Sequence, residues 1–201
     1  MLDQVISIKS NERVVICGKT GSGKSVLMRK YCRMYARVIF IDPKHENGDL
    51  PYTFQAHDHK KVIEEVAKNQ DIFFILYQPI QFKDEDFNEL CAQLFKYKDM
   101  TIFLDEILLK PVDWHRTLIR MGRRKGIGMW HIFQRPHFVD NFVLSEAEHY
   151  FVFKLLLKSD KDKIAGVIGE EIIPELENLE QYQFVYYKPQ KGIMRFKPLE
   201  I

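Results

Sequence analysis

The chain has no apolar run approaching the roughly 20 residues needed to cross a bilayer, which excludes a membrane-spanning helix. Its N-terminus, Met1-Leu-Asp-Gln-Val, lacks the basic and apolar regions of a secretory signal. Cysteine is scarce: Cys17, Cys32 and Cys91 are three in all, an odd number without metal-ligand spacing. No disulfide framework is indicated, and reduced cytosolic thiols are the simplest reading. Charge is nearly balanced, with net +2 from 30 basic and 28 acidic residues, so a polyanion must be met by local patches. There are no repeats, no low-complexity tract and no linker. The 201 residues, 46% of them hydrophobic, suit one soluble α/β domain spanning the whole chain, 1–201.

What is present is an octet, Gly18-Lys19-Thr20-Gly21-Ser22-Gly23-Lys24-Ser25. This is a complete Walker A loop, in which glycines let successive backbone N–H groups wrap an anion. Lys24 reaches the β- and γ-phosphates, and the Ser25 hydroxyl binds Mg²⁺. Residues Gly18 through Val26 are thus the expected ATP contacts. The setting fits, since the apolar strand Arg13–Cys17 precedes the loop and a helix with Val26, Leu27, Tyr31 and Met34 follows.

Further strands are expected at Val38–Ile41, Ile72–Tyr77, Thr101–Leu104, Met129–Phe133 and Tyr150–Leu155. Helices are expected at Lys60–Lys68, Asp84–Tyr97, Asp113–Arg124 and Asp160–Val167, and a hairpin at Gln183–Tyr187 with Ile193–Phe196. Apolar strands alternating with amphipathic helices predict a mostly parallel sheet covered on both faces, with the hairpin adding antiparallel strands at one edge.

The segment Ile102-Phe-Leu-Asp-Glu106 is an apolar strand ending in two acids. Asp105 at its carboxyl end is placed to hold Mg²⁺ opposite Ser25. Glu106, the second acid, is what a hydrolytic NTPase needs to activate water. Gln134 ends the next strand, where it can contact both a γ-phosphate oxygen and the attacking water. Helix Asp113–Arg124 should bury Trp114, Leu118 and Met121 and gather Arg116, Arg120, Arg123 and Arg124 on its other side. That basic side is either solvated, a source of DNA phosphate contacts, or an arginine finger for a neighbouring subunit. Arg123 and Arg124 are the first candidates for the finger and Arg120 the next. Lys44 and His45 follow a strand end, as surface-loop residues or facing the nucleotide or a pore. His57 and His59 lack further ligands, so no other metal is assigned. Trp130 and most of the 15 phenylalanines are read as core.

Arg120-Met-Gly-Arg-Arg-Lys-Gly-Ile-Gly-Met129, followed by Ile132-Phe-Gln-Arg-Pro136, resembles the Gly-Arg and Gln-Arg-Pro stretches of the HerA/FtsK superfamily of DNA-pumping ATPases. Phe40-Ile-Asp-Pro-Lys44 is similar to that family's second strand and turn. The resemblance runs from about Val14 to Lys163. It implies a RecA-like P-loop NTPase core in which the Gln134 strand lies between the Walker A and Walker B strands. It also implies a homo-oligomeric ring, usually a hexamer, that moves double-stranded DNA. Some relatives place the arginine finger after the following strand, where this chain has Lys158, Lys161 and Lys163.

The chain reaches its loop after 17 residues, without the barrel of HerA-type proteins or the membrane and winged-helix parts of FtsK-type ones. It resembles most the genome-packaging ATPases of membrane-containing double-stranded DNA viruses. The expectation is an ATP- and Mg²⁺-dependent motor in the infected cell's cytoplasm or on the virion. Its partners would be duplex DNA and a capsid or portal-vertex protein, with no membrane span of its own. A related assembly or secretion ATPase moving protein, and a slowly hydrolysing nucleotide-gated binding module, stay open as alternatives.

Overall fold

In the computed structural model, which describes residues 6–69, 71–106 and 111–198, β-branched and aromatic runs form strands and the intervening amphipathic segments form helices. The stretch Met1–Val5, read above for a signal, lies outside the described residues. In chain order the elements are β1 (Arg13–Cys17), α1 (Lys24–Cys32), β2 (Arg37–Ile41), β3 (Phe54–Ala56), α2 (His59–Lys68), β4 (Phe73–Tyr77) and α3 (Asp84–Leu94). There follow β5 (Met100–Asp105), α4 (Asp113–Met121), β6 (Ile127–Phe133), α5 (Asn141–Ser145), β7 (His149–Phe153), α6 (Lys158–Ile168), α7 (Ile173–Glu177), β8 (Phe184–Lys188) and β9 (Gly192–Phe196). No helix among the described residues is long and apolar enough to cross a membrane.

The nine strands lie in one sheet, in the order β3-β4-β2-β5-β6-β1-β7-β8-β9. Strands β1 to β7 pair in parallel, and β8 and β9 add an antiparallel hairpin beside β7. The strand ending before Gln134 lies between the Walker A and Walker B strands, as the resemblance implied. Opposite each other in register are Cys17 and Phe133, and Asp105 and Ile132. The chain therefore leaves β1, β5 and β6 at one edge of the sheet.

Burial on both faces explains the continuous apolar strands. Alternate residues such as Ile39, Ile75, Ile102 and Met129 pack under α2, α3, α4, α6 and α7. Their neighbours Phe40, Phe103, Trp130 and Phe151 form an aromatic layer under α1, where Tyr31 sits 4.8 Å from Trp130. Both faces are covered, but unequally.

Three expectations shift. The helix before the basic cluster stops at Met121, and Gly122–Lys125 form a 3₁₀ turn ending at Gly126 in the left-handed region (φ 74°). A Cβ on Gly126 would come within 2.1 Å of the Asp99 carboxylate, so only glycine turns the chain here. Trp114 and Met121 are exposed, and the buried face is His115, Leu118 and Ile119. Trp114 instead lies against Phe95 at the surface. The third strand, β3, has no counterpart in the sequence reading, because its three residues are too few to show a period.

His115 turns α4 inward. Its Nε2 lies 3.0 Å from Nε2 of His131 on β6, with both rings buried, so one neutral imidazole donates to the other. Burial pushes the His131 pKa down to about 3, and burial followed by the His131 charge holds His115 well below its ordinary value. An unfolded chain takes up protons on both rings below about pH 6.5, while the folded chain does not. Their contribution to stability is therefore complete above that pH and declines as pH falls, by about 2 kcal/mol at pH 5 for His131. Thermal melts should show a clear loss between pH 7 and pH 5 that shrinks in a His115→Leu/His131→Leu variant. Equal losses in both proteins would refute the assignment.

Candidate functional site

The loop after β1 is held on both sides. Gly18 N–H donates to the Phe133 carbonyl at 3.3 Å, and Lys19 N–H to that of Lys154 at 2.9 Å. Gly18 (φ 150°) packs so closely on β7 that a Cβ would lie 2.5 Å from the Phe153 Cβ. Gly23 occupies the left-handed region (φ 105°) and offers α1 no side-chain cap. The first N–H groups of this nine-residue helix are thus left for an outside acceptor, and its first turn carries no acid. Lys24 folds back to donate 3.0 Å to the Lys19 carbonyl, and burial lowers its pKa. The Ser22 hydroxyl is buried without a partner among the described residues, whereas Ser25 is exposed. The arrangement can take an anion such as phosphate, with the buried Lys24 cation beside it.

At the end of β5, Asp105 accepts 2.8 Å from the Asn47 side-chain amide. Burial raises its pKa to about 6, and the nearby carboxylates of Asp42 and Glu106 push in the same direction. Asp42, fully buried at the end of β2, takes the Asn47 N–H at 2.9 Å and the Gln78 amide at 2.8 Å. Sequence reasoning did not assign Asn47 or Gln78, because their roles depend on contacts between distant loops. Ser25 and Asp105 carry hard oxygen donors of the kind that Mg²⁺ takes. The negative, buried setting of Asp105 suits a cation. No cluster of three or more His, Cys, Asp or Glu side chains fit for a metal occurs among the described residues.

Glu106 adopts φ 55°, unusual for a residue with a side chain, and its N–H donates 2.7 Å to the Ile132 carbonyl. Such a backbone costs about 1–3 kcal/mol, which the surrounding structure must offset. The turn aims the carboxylate along the sheet edge. One of its oxygens accepts from the Gln134 amide at 2.9 Å and pairs with the Lys44 ammonium. The Gln134 carbonyl in turn accepts from the Thr20 hydroxyl at 2.7 Å. Thr20, Gln134, Glu106 and Lys44 thus form a polar chain from the phosphate loop to the turn after β2. Of the two readings for Lys44, the structure has it facing this site, while the neighbouring His45 ring contacts the Pro79 carbonyl at 3.0 Å.

Beyond Gln134, Arg135 donates 2.7 Å to the buried carboxylate of Asp160 on α6, and the His137 N–H reaches its other oxygen at 3.0 Å. This anchor also escaped the sequence reading. The arginines of the expected basic side do not act as a group. Arg116 pairs with Asp140 at 3.3 Å and lies over Phe142, and Arg123 pairs with Glu148. Arg120 and Arg124 are exposed and make no ion pair among the described residues.

No protein-family model matches the sequence. The chain is similar to the DNA packaging ATPase P9 of Enterobacteria phage PRD1, 22% identical over 188 residues that cover 88% of this chain and 82% of that protein. Among solved structures it is similar to B204, the DNA-packaging ATPase from Sulfolobus turreted icosahedral virus. That match has a TM-score of 0.78 and 20% identity, covering 96% of this chain and 100% of the other. B204 from Sulfolobus turreted icosahedral virus 2, a genome packaging NTPase solved in complex with AMPPCP, matches with a TM-score of 0.77 and 19% identity over 96% and 100% of the two chains. These likenesses establish the fold as the P-loop NTPase core that the sequence predicted.

Proposed function

We propose that this chain is an ATP-hydrolysing motor that moves double-stranded DNA, packaging a viral genome into a preformed capsid. The observation that carries hydrolysis is the Glu106 carboxylate, held by Gln134, which is itself bonded to Thr20 of the phosphate loop. The glycine backbone and Lys24 bind the phosphates, and Gln134 senses the last of them. Glu106 accepts a proton from the attacking water. Mg²⁺, held by Ser25 and Asp105, would supply charge neutralisation on the phosphates.

The likeness to P9 and B204, both named for DNA packaging, supports duplex DNA as the polymer moved. The working form is a ring of copies, a hexamer, that docks on a capsid or portal-vertex protein in the infected cell's cytoplasm or on the virion.

Steady-state phosphate release with and without linear duplex DNA tests the reading. Turnover should rise severalfold with duplex, and Lys24→Ala should weaken ATP binding more than tenfold. Turnover indifferent to DNA would instead favour a nucleotide-gated binding module.

A further inference from the structure

A cavity of about 320 Å³ opens beside the phosphate loop. It is lined by Gly21, Gly23, Lys24 and Ser25 of the phosphate loop together with Val26, Phe153 and Tyr182. Tyr182 comes from the segment between α7 and β8, far away in sequence. Its ring closes on the loop, since a Cβ on Gly23 would meet Tyr182 Cδ1 at 3.6 Å.

The segment carrying Tyr182 is fastened. The Gln181 side-chain amide donates 2.7 Å to the Gly21 carbonyl, tying it directly to the phosphate loop. Next to it, Gln183 accepts 2.8 Å from Arg195 of the terminal hairpin and 3.2 Å from the Glu180 N–H. Tyr182 itself sits in the left-handed region (φ 65°), which a residue with a side chain adopts only under constraint. The residue is nevertheless 49% exposed, and its hydroxyl has no hydrogen-bond partner among the described residues. A surface tyrosine without a ligand would have no need of this posture.

We infer that Tyr182 is the stacking platform for the nucleobase, with Phe153 and Val26 lining the rest of the base pocket. The assignment rests on reading the Walker loop as a nucleoside triphosphate site. An aromatic ring offers a base its face, which every base can use. Val26 and Phe153 offer no hydrogen bond to a base edge. The pocket therefore grips a nucleotide by the face of its base and holds adenine and guanine alike.

The test compares ATP, GTP and inorganic tripolyphosphate, which has no base, by calorimetric titration against the wild type, Tyr182→Gly and Tyr182→Phe. Glycine suits the left-handed backbone, so Tyr182→Gly removes the ring while easing the turn. It should weaken ATP and GTP alike by about tenfold, within the range for losing one base–aromatic stack. Tripolyphosphate affinity should not change, and Tyr182→Phe should behave as wild type.

Unchanged ATP affinity in Tyr182→Gly would overturn the inference. So would an equal loss for tripolyphosphate, because the segment would then be supporting the phosphates. A wild-type preference above tenfold for one purine would overturn the claim of indifference. A wild-type protein that binds none of the three would fail the Walker-loop reading instead.

Discussion

Glu106→Gln is expected to bind ATP with wild-type affinity and to turn it over about 10²–10⁴ times more slowly, the usual contribution of a positioned general base. The substitution is nearly isosteric. A glutamine carbonyl can still accept the Gln134 amide hydrogen bond, so the polar chain to Thr20 survives. What disappears is the group that takes the proton of the attacking water, together with the ion pair to Lys44. Nucleotide titration and steady-state phosphate release on the same preparation separate binding from chemistry. Undiminished turnover in the variant would sink the assignment of Glu106. Loss of binding as well would show instead that the residue holds the loop in shape. The strained backbone at Glu106 fits a catalytic placement, since a residue serving only to cap β5 has no need of a left-handed turn.

Most of the site's frame could be read before any coordinates, because it is written in local patterns. The octet, the strand running into Asp105 and Glu106, and the strand running into Gln134 each carry their meaning within about ten residues. A parallel sheet then gathers their carboxyl ends without further information. The unread parts depend on contacts between distant segments. Asn47 reaches Asp105 from 58 positions away, and Gln181 reaches Gly21 from 160. Neither residue stands out in its own neighbourhood. The face of α4 was misjudged for a related reason. Helical spacing marked Trp114, Leu118 and Met121 as one stripe, but a buried partner for His115 on β6 turned the helix by about one position. Periodicity does not show that a polar ring has a polar ring waiting for it.

The same limit explains the arginines, and leads to the second large effect. Spacing placed Arg116, Arg120, Arg123 and Arg124 on one face, yet two of them are drawn to carboxylates of their own chain. Arg123 could serve a neighbour only by giving up Glu148, whereas Arg124 has no such tie among the described residues. Among the described residues, the cations beside Glu106 are both lysines, Lys24 and Lys44. A planar guanidinium arriving from the next subunit would add the bidentate contact that lysine cannot make. Arg124→Ala should therefore lower kcat about 10³-fold or more while changing ATP affinity only a few-fold, the pattern of a trans-acting finger. Arg120→Ala should cost less, and Arg123→Ala should act mainly on stability through Glu148. The decisive measurement mixes two inactive proteins, Arg124→Ala and Glu106→Gln. In a mixed ring, a Glu106→Gln copy lends its intact Arg124 to a neighbour whose Glu106 is intact, and turnover returns. If the mixture stays as inactive as its parts while mass measurements show mixed rings, Arg124 does not act across the interface. A monomer hydrolysing ATP at the full rate would remove the need for any such arginine.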